Sequence, residues 1–266
     1  MGVLTTCHLS PCSIAEVKTL VVIPTYNERE SLPNTIEAIR KYNDVDILVV
    51  DDGSPDGTGE WVQRSADFGS TLFLLQRTEK NGLGPAYIAG FTWALERDYD
   101  VICEMDADGS HRGRDLPQLL AQVERGADLA IGSRWIPGGA VVNWPRNRHF
   151  LSRGANVYVN VALGLGVHDA TAGFRAFKRE VLETIDLSQV ESAGYCFQID
   201  MTMRVALAGF SIVEVPITFV ERELGESKMD GDIIKEAFTR VAGWGIARRT
   251  SQVKALVSRL SAKSPE

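Results

Sequence analysis

The sequence lacks a hydrophobic run of the roughly 20 residues that a helix needs to cross a bilayer. Its best apolar stretch, Val157 to Val167, is shorter than that and is interrupted by Asn160. Residues 1–17 also lack the basic start and apolar core of a secretory signal, so we expect them to form a flexible tail. These absences predict a cytoplasmic chain without a membrane-spanning segment.

Cysteine and excess positive charge are also scarce. Four cysteines in 266 residues are too few for a disulfide framework, and no second pair accompanies Cys7 and Cys12 to complete a zinc site. We therefore expect free thiols. The formal net charge of -7 argues against a general nucleic-acid binder, which would normally be basic.

Positive charge is instead concentrated in two segments of an otherwise acidic chain. Residues 143–153 contain three arginines and no acidic residue, and residues 240–266 contain six basic residues against one acidic residue. Apolar and aromatic side chains lie near both sets of basic residues, which is typical of helices at a membrane surface. The alternative for the C-terminal segment, a helix packed on the core with a solvated charged face, remains open.

Strand and helix patterns alternate through the first half of the chain. Short apolar runs rich in β-branched residues predict buried parallel strands. These runs lie at 19–24, 46–51, 71–76, 100–105 and 128–133. Helical patterns separate them, which predicts right-handed βαβ units and a largely parallel sheet. In the second half, 134–150 is predicted to be a long functional loop, and 211–220, interrupted by Pro216, to be an edge strand.

The simplest division of the chain is one α/β domain over 18–230, followed by amphipathic helices over 231–266. Neither GxGxxG nor GxxxxGK[ST] is present, so no Rossmann dinucleotide site and no P-loop are predicted. Ligands of open α/β sheets bind beyond the carboxyl ends of the strands, and we expect the polar clusters found there to converge on one cleft. These clusters are Pro24–Glu28, Asp51–Thr58, Asp106–His111 and Gly132–Arg134.

Asp106 and Asp108 are the strongest candidates for a divalent-cation site. Two carboxylates separated by one residue at a strand end suit Mg²⁺ or Mn²⁺. Such ions take one or two protein carboxylates and complete their shell with substrate phosphate oxygens. The alternative is that both aspartates shape a turn and cap the next helix.

The other strand-end carboxylates have two interpretations each. Asp51 and Asp52 are placed to accept hydrogen bonds from a nucleobase or a ribose hydroxyl. Glu28 has the same possible role, or it is simply a favourable residue in the first turn of a helix. Asp56 is better explained as a turn or cap residue than as a ligand.

Seven motifs occur in an order that resembles a known family. They are VVIPTYNE, DDGSPDGTGE, NGLGPAY, DADGSH, GSR, AGFRAFKREVL and ERELGESK. Together they are similar to family 2 glycosyltransferases of the GT-A (Rossmann-like) fold, and more closely to the dolichol- or polyprenol-phosphate mannose synthases. The resemblance covers about residues 20–230. It implies a single domain with a mixed, mostly parallel sheet flanked by helices, and inverting transfer of mannose from GDP-mannose to a polyprenyl phosphate.

The resemblance also implies roles for individual residues. The nucleotide-binding motifs of the family match Pro24, Tyr26, Glu28, Asp51, Asp52, Asp106 and Ala107. The metal motif matches Asp106, Asp108 and Ser110, with Asp108 the more direct ligand of Mg²⁺ or Mn²⁺. The acceptor phosphate is expected at Arg134, Arg148 and Ser152. A loop that closes over the donor in relatives matches Arg222 and Lys228. The residues expected to be catalytic are Asp108, Arg134 and Arg148.

Three alternatives remain at this stage. One is a polyprenyl-phosphate glucosyl- or N-acetylhexosaminyltransferase that uses a UDP-sugar. Another is a polysaccharide synthase, which usually carries QxxRW when processive, a motif that is absent here. A third is an inactive module that recruits a partner to membranes. For the leading interpretation, a lipid acceptor implies a peripheral enzyme on the cytoplasmic face of the membrane. It would be held there by its amphipathic helices or by a membrane-anchoring protein partner.

Overall fold

The computed structural model describes residues 17–190, 195–221, 238–250 and 254. Nine strands occur within these residues. They are β1 Thr19–Thr25, β2 Asp46–Asp51, β3 Leu72–Gln76, β4 Val101–Glu104, β5 Leu129–Ser133, β6 Ala140–Val142, β7 Arg175–Lys178, β8 Ile212–Pro216 and β9 Thr218–Val220. Seven of them form one sheet in the order β3-β2-β1-β4-β7-β5-β8, and β6 pairs with β9 in a small second sheet. The predicted α/β class with a mostly parallel sheet is confirmed.

Helices cover both faces of the large sheet. The described helices are α1 Leu32–Arg40, α2 Thr58–Gln63, α3 Leu83–Leu95, α4 Leu116–Glu124, α5 Arg146–Leu163, α6 Arg179–Thr184 and α7 Tyr195–Leu207. Apolar side chains of α3, α6 and α7 pack on one face of the sheet, and those of α1, α2 and α4 pack on the other. Strand β1 is therefore buried from both sides, which explains its continuous apolar run.

Strand β7 runs antiparallel to both of its neighbours, β4 and β5. Strands β1, β2 and β3 are parallel to one another, and β1 is parallel to β4. Since β4 and β5 both oppose β7, they point the same way. The carboxyl ends of β1, β2, β4 and β5 consequently lie along one edge of the sheet, together with the beginning of β7.

The predicted loop at 134–150 is only partly a loop. It contains β6, and α5 begins at Arg146 rather than near residue 151. Pro145, whose backbone is extended with φ -62° and ψ 145°, directly precedes the helix. Pro145 was one of the residues that predicted a loop, and in the structure it marks the start of α5. The edge-strand prediction is confirmed, because β8 is the edge strand of the large sheet and ends at Pro216. The chain then continues as β9, which pairs with β6 in the small sheet.

Helical residues 238–250 pack against α5. The hydroxyl of Tyr158 donates to the carbonyl of Phe238 at 2.9 Å, and Val241 joins an apolar cluster with Val159 and Leu163. The rest of the predicted C-terminal helices over 231–266, apart from residue 254, lies outside the described residues, as does the predicted tail over 1–17 apart from Val17. Within the described part of the chain, no helix is both long and apolar enough to cross a membrane.

Candidate active site

The loops after β1 and β2 are joined by hydrogen bonds. Thr25 donates its hydroxyl to Asp51 at 2.9 Å, and the backbone N–H of Asn27 donates to the hydroxyl of Ser54 at 2.9 Å. Asp51 is fully buried and also accepts from the N–H of Ser54 at 3.1 Å. The loops after β1 and β2, which contain the first two predicted clusters, are therefore joined, and we call them together the wall of the site. The carboxylate of Asp51 is buried between these loops.

Asp52 and Tyr26 each meet a basic residue that the sequence analysis did not select. Arg77 pairs with Asp52 at 2.9 Å, and the Nζ of Lys80 lies 3.8 Å from the ring centre of Tyr26. Burial raises the pKa of Asp52, although the nearby Arg77 lowers it. Arg77 directly follows β3, so the strand-end argument applied to this third strand could have found it.

The remaining predicted residues of this wall are placed as follows. Pro24 and Glu28 are half-buried, and the carboxylate of Glu28 accepts the hydroxyl of Ser31 at 2.7 Å. Asp56 accepts the N–H of Thr58 at 3.0 Å and also its hydroxyl at 2.6 Å. Its structural interpretation as a turn residue therefore agrees with the geometry.

The turn after β4 is braced by its own residues. The backbone N–H of Asp106 donates to the Nδ1 of His111 at 3.2 Å, and the N–H of Ser110 donates to Asp108 at 3.0 Å. Burial lowers the pKa of His111 to about 4, against the opposing influence of Asp108, so its ring is neutral at pH 7. Ala107 is buried and anchors the turn through its carbonyl, which accepts from Thr35 at 2.9 Å.

The oxygen atoms of this turn fit a divalent cation. The Asp106 side chain is about one third exposed, Asp108 is half-buried, and the hydroxyl of Ser110 is buried with no hydrogen-bond partner among the described residues. The described residues contain no group of three or more His, Cys, Asp or Glu side chains that could hold a metal ion. Two carboxylates and a hydroxyl suit an ion whose remaining ligands come from a substrate. We call Asp51, Asp52, Asp106 and Asp108 the acidic edge.

Arg134 is fixed by a buried acid on the loop before β7. Its Nε and Nη2 each donate to Asp169 at 2.7 Å, and its backbone N–H donates to the same carboxylate at 3.0 Å. Only 7% of Arg134 is exposed. Burial alone would raise the pKa of Asp169, but Arg134 holds it below its ordinary value. Arg134 thus has a fixed orientation and an internal counter-charge, which the sequence analysis did not foresee.

Helix α5 carries the other two residues predicted to bind the acceptor phosphate, Arg148 and Ser152. Arg148 forms an ion pair with Glu221, and its guanidinium lies 4.2 Å from the ring centre of Trp144. Ser152 is half-buried, and its carbonyl accepts from Asn156 at 3.1 Å. Asn156 also reaches Asp169 at 3.3 Å, so the helix is tied to the acid that holds Arg134.

We define the arginine cluster as the following set. It comprises Arg134, Arg148, Arg153, Trp135 and Trp144. The ring of Phe219 lies 5.4 Å from His111 and 5.5 Å from the Arg134 guanidinium, so it joins this cluster to the turn after β4. The structure therefore brings the predicted cation ligands and the predicted acceptor residues together. Arg222 and Lys228 lie outside the described residues.

Comparisons with known proteins agree with this geometry. The model of the family described as glycosyl transferase family 2 matches residues 20–186. The chain belongs to this family and is a glycosyltransferase.

Its relatives are more specific. The chain is 57% identical to the polyprenol monophosphomannose synthase of Mycolicibacterium smegmatis, over 90% of this chain and 91% of that protein. It is 55% identical to the undecaprenyl-phosphate mannosyltransferase of Micrococcus luteus, over 90% and 98% respectively. The resemblance to polyprenol-phosphate mannose synthases is therefore confirmed.

Solved structures support the GT-A fold. Glucosyl-3-phosphoglycerate synthase from Mycobacterium tuberculosis in complex with phosphoglyceric acid has a TM-score of 0.63 and 19% identity, covering 88% of this chain and 80% of that one. A complex of the same protein with Mn²⁺, UDP-glucose and phosphoglyceric acid has a TM-score of 0.62.

Proposed function

We propose that this glycosyltransferase transfers mannose from GDP-mannose to a polyprenyl phosphate, with inversion at the anomeric carbon. The observation that carries the proposal is the identity above 50% to two enzymes named for mannose transfer to polyprenyl phosphates. The juxtaposition of the acidic edge and the arginine cluster supports it, because the reaction must bring a metal-bound diphosphate and an anionic acceptor together.

The donor is assigned to the acidic edge. Asp106, Asp108 and Ser110 would hold Mg²⁺ or Mn²⁺, which supplies positive charge to the leaving diphosphate. The guanosine is assigned to the wall formed by the loops after β1 and β2. The residues proposed to contact it are Pro24, Tyr26, Glu28, Asp52 and Ala107. Asp51, predicted from the sequence as a further contact, is fully buried and is proposed instead to hold the two loops together through Thr25 and Ser54. Arg222 and Lys228 are proposed to close over the donor.

The acceptor phosphate is assigned to Arg134, Arg148 and Ser152. A phosphate monoester has a second pKa of about 6, so it is largely dianionic at neutral pH and its oxygen is already nucleophilic. No strong general base is then needed. The work of the protein is alignment, to which the fixed orientation of Arg134 is suited.

Because the proposed acceptor is a lipid, we propose that the enzyme binds peripherally to the cytoplasmic face of a membrane. Helix α5 exposes 73% of Phe150, 64% of Val157 and 69% of Val161, close to the arginine cluster. Exposed apolar side chains beside arginines suit an interfacial helix. A membrane-anchoring protein partner is a further possibility of the same proposal.

A donor-by-acceptor assay tests the proposal. Incubation with GDP-mannose, Mg²⁺ or Mn²⁺ and polyprenyl phosphate is expected to give a mannolipid that partitions into chloroform. Activity with UDP-glucose or UDP-N-acetylglucosamine but not with GDP-mannose would replace it with the alternative lipid-phosphate transferase. Absence of any transfer would favour the inactive recruitment module.

A further inference from the structure

The ion pair of Arg148 with Glu221 places a carboxylate at the proposed acceptor site. Arg148 lies in the first turn of α5, and Glu221 directly follows β9. The Nη1 of Arg148 donates to both carboxylate oxygens, at 2.6 Å for Oε2. The backbone N–H of Glu221 donates to the carbonyl of Val142 at 3.0 Å, which fixes the position from which this side chain extends.

Buried N–H groups lie beside this pair. The Nε of Arg148 and the indole Nε1 atoms of Trp135 and Trp144 are buried and have no hydrogen-bond partner in the described part of the chain. The Trp135 and Trp144 ring centres are 6.2 Å apart. Buried donors without acceptors are costly, so such a cluster is stabilised by a ligand that brings oxygens. Glu221 supplies two oxygens, and one guanidinium nitrogen engages both.

A phosphate monoester matches these donors better than the carboxylate does. It carries three terminal oxygens and more negative charge at neutral pH. It is therefore able to take over the Nη1 of Arg148 and still offer oxygens to the neighbouring N–H groups. A neutral lipid alcohol offers no charge with which to separate Arg148 from Glu221.

From these contacts we infer that Glu221 is an internal competing anion. It occupies Arg148 in the free enzyme, the acceptor phosphate displaces it, and it thereby sets the acceptor KM and the preference for a phosphorylated lipid. The inference rests on the proposed function, in which Arg148 binds the acceptor phosphate. Glu221 acts through Arg148 and is a positioning residue.

Two substitutions of Glu221 separate direct competition from a general effect of charge. Glu221→Gln removes the competing charge and is expected to lower the acceptor KM about fivefold, the size of one partly buried ion pair, with the GDP-mannose KM unchanged. Glu221→Asp keeps the charge but shortens the side chain by one methylene. It is expected to lower the acceptor KM by a smaller factor, whereas an effect of net charge alone would leave this variant at the wild-type value.

The matched control is Glu183→Gln, which removes an acid paired with Arg179 at 2.6 Å on the surface of α6. It is expected to leave both KM values unchanged. An acceptor KM that is unchanged or higher in Glu221→Gln overturns the inference, because a higher value would mean that Glu221 holds Arg148 in its productive position.

A binding titration tests the role of Glu221 without mannose transfer, and therefore separately from the proposed function. Geranyl phosphate is titrated without donor, and the intrinsic tryptophan fluorescence, to which Trp144 beside Arg148 contributes, reports binding. Tighter binding by Glu221→Gln than by the wild type supports the inference, and equal or weaker binding overturns it. If the wild type forms no mannolipid, the proposed function is wrong whatever the titration shows. The titration still tests whether Glu221 competes with a phosphate for Arg148.

Discussion

The acidic edge and the arginine cluster, which Phe219 connects through His111 and Arg134, are constructed differently. The acidic edge consists of side chains at the carboxyl ends of β2 and β4, held in short turns by backbone N–H groups and hydroxyls. The arginine cluster lies partly on α5, outside the main sheet, and its members Arg134 and Arg148 are each paired with an acid. Asp108 is thus held within its own turn, whereas Arg134 and Arg148 depend on partners distant in the sequence.

Because of this difference, we expect substitutions in the two regions to have different effects. Substitutions in the acidic edge should change the chemistry while the fold survives, because the turns have many internal hydrogen bonds. Substitutions of the acids that hold the arginines should change stability or acceptor binding. Substitutions in each region, compared with matched surface controls, test this division.

Asp108→Asn is expected to lower kcat by about a thousandfold, because it removes a negative charge from the proposed cation site while keeping an oxygen that can accept from Ser110. Mannolipid formation and thermal unfolding are measured together. Asp67→Asn, which alters an acid paired with Arg40 on the surface, is the control and should retain activity. Wild-type turnover in Asp108→Asn would remove the metal assignment.

Asp169→Asn is expected to lower the free energy of unfolding by about 3 kcal/mol, because it leaves the charge of Arg134 buried without its counter-charge. Urea denaturation measures this change. Glu183→Gln breaks an exposed pair and should cost less than about 1 kcal/mol. Equal costs for the two variants would contradict the view that the arginine cluster depends on buried acids.

A double substitution of Val157 and Val161 by serine is expected to weaken binding to vesicles of anionic phospholipid about tenfold, since it removes two exposed apolar side chains from α5. Cosedimentation with vesicles measures binding. Tyr42→Ser, which removes an exposed aromatic side chain just beyond the end of α1, is the control. A larger loss for Tyr42→Ser would move the membrane-facing surface away from the arginine cluster.

Tyr87→Phe is expected to lower kcat/KM for GDP-mannose only two- to threefold. The Tyr87 hydroxyl lies 3.4 Å from Asp106, which is long for a hydrogen bond, so its loss should cost little. Tyr99→Phe removes a shorter bond, 2.7 Å to Asp46 at the start of β2, and should leave the kinetics unchanged. A hundredfold loss in Tyr87→Phe would show that the acidic edge is less well braced by its turns than we infer.

The acidic edge was predictable from the sequence because each of its residues ends or follows a strand with a clear apolar pattern. Asp106 and Asp108 directly follow the β4 run, and the parallel arrangement of the strands determines which edge they share. Arg77 also directly follows a strand, β3, so its position was predictable in the same way. Its pairing with Asp52 across 25 residues has no local sequence signal.

The arginine cluster was predictable in its members but not in its contacts. Arg134 and Arg148 stood out by composition and by family resemblance. Nothing near them in the sequence indicates Asp169, 35 residues beyond Arg134, or Glu221, 73 residues beyond Arg148. The start of α5 was hidden because a segment rich in Gly, Pro and Asn suggested a loop as far as residue 150.

The position of β7 between β4 and β5 has a consequence for how the site assembles during folding. Strands β4 and β5 do not pair with each other, and both require β7, whose Arg175 donates to the carbonyls of Ala170 and Ala172. Contacts over such sequence separations close late, because they carry a large loop entropy. The loop that holds Arg134 can therefore be fixed only after about two thirds of the chain has been synthesised. The acidic edge and the arginine cluster acquire their relative positions in that same step.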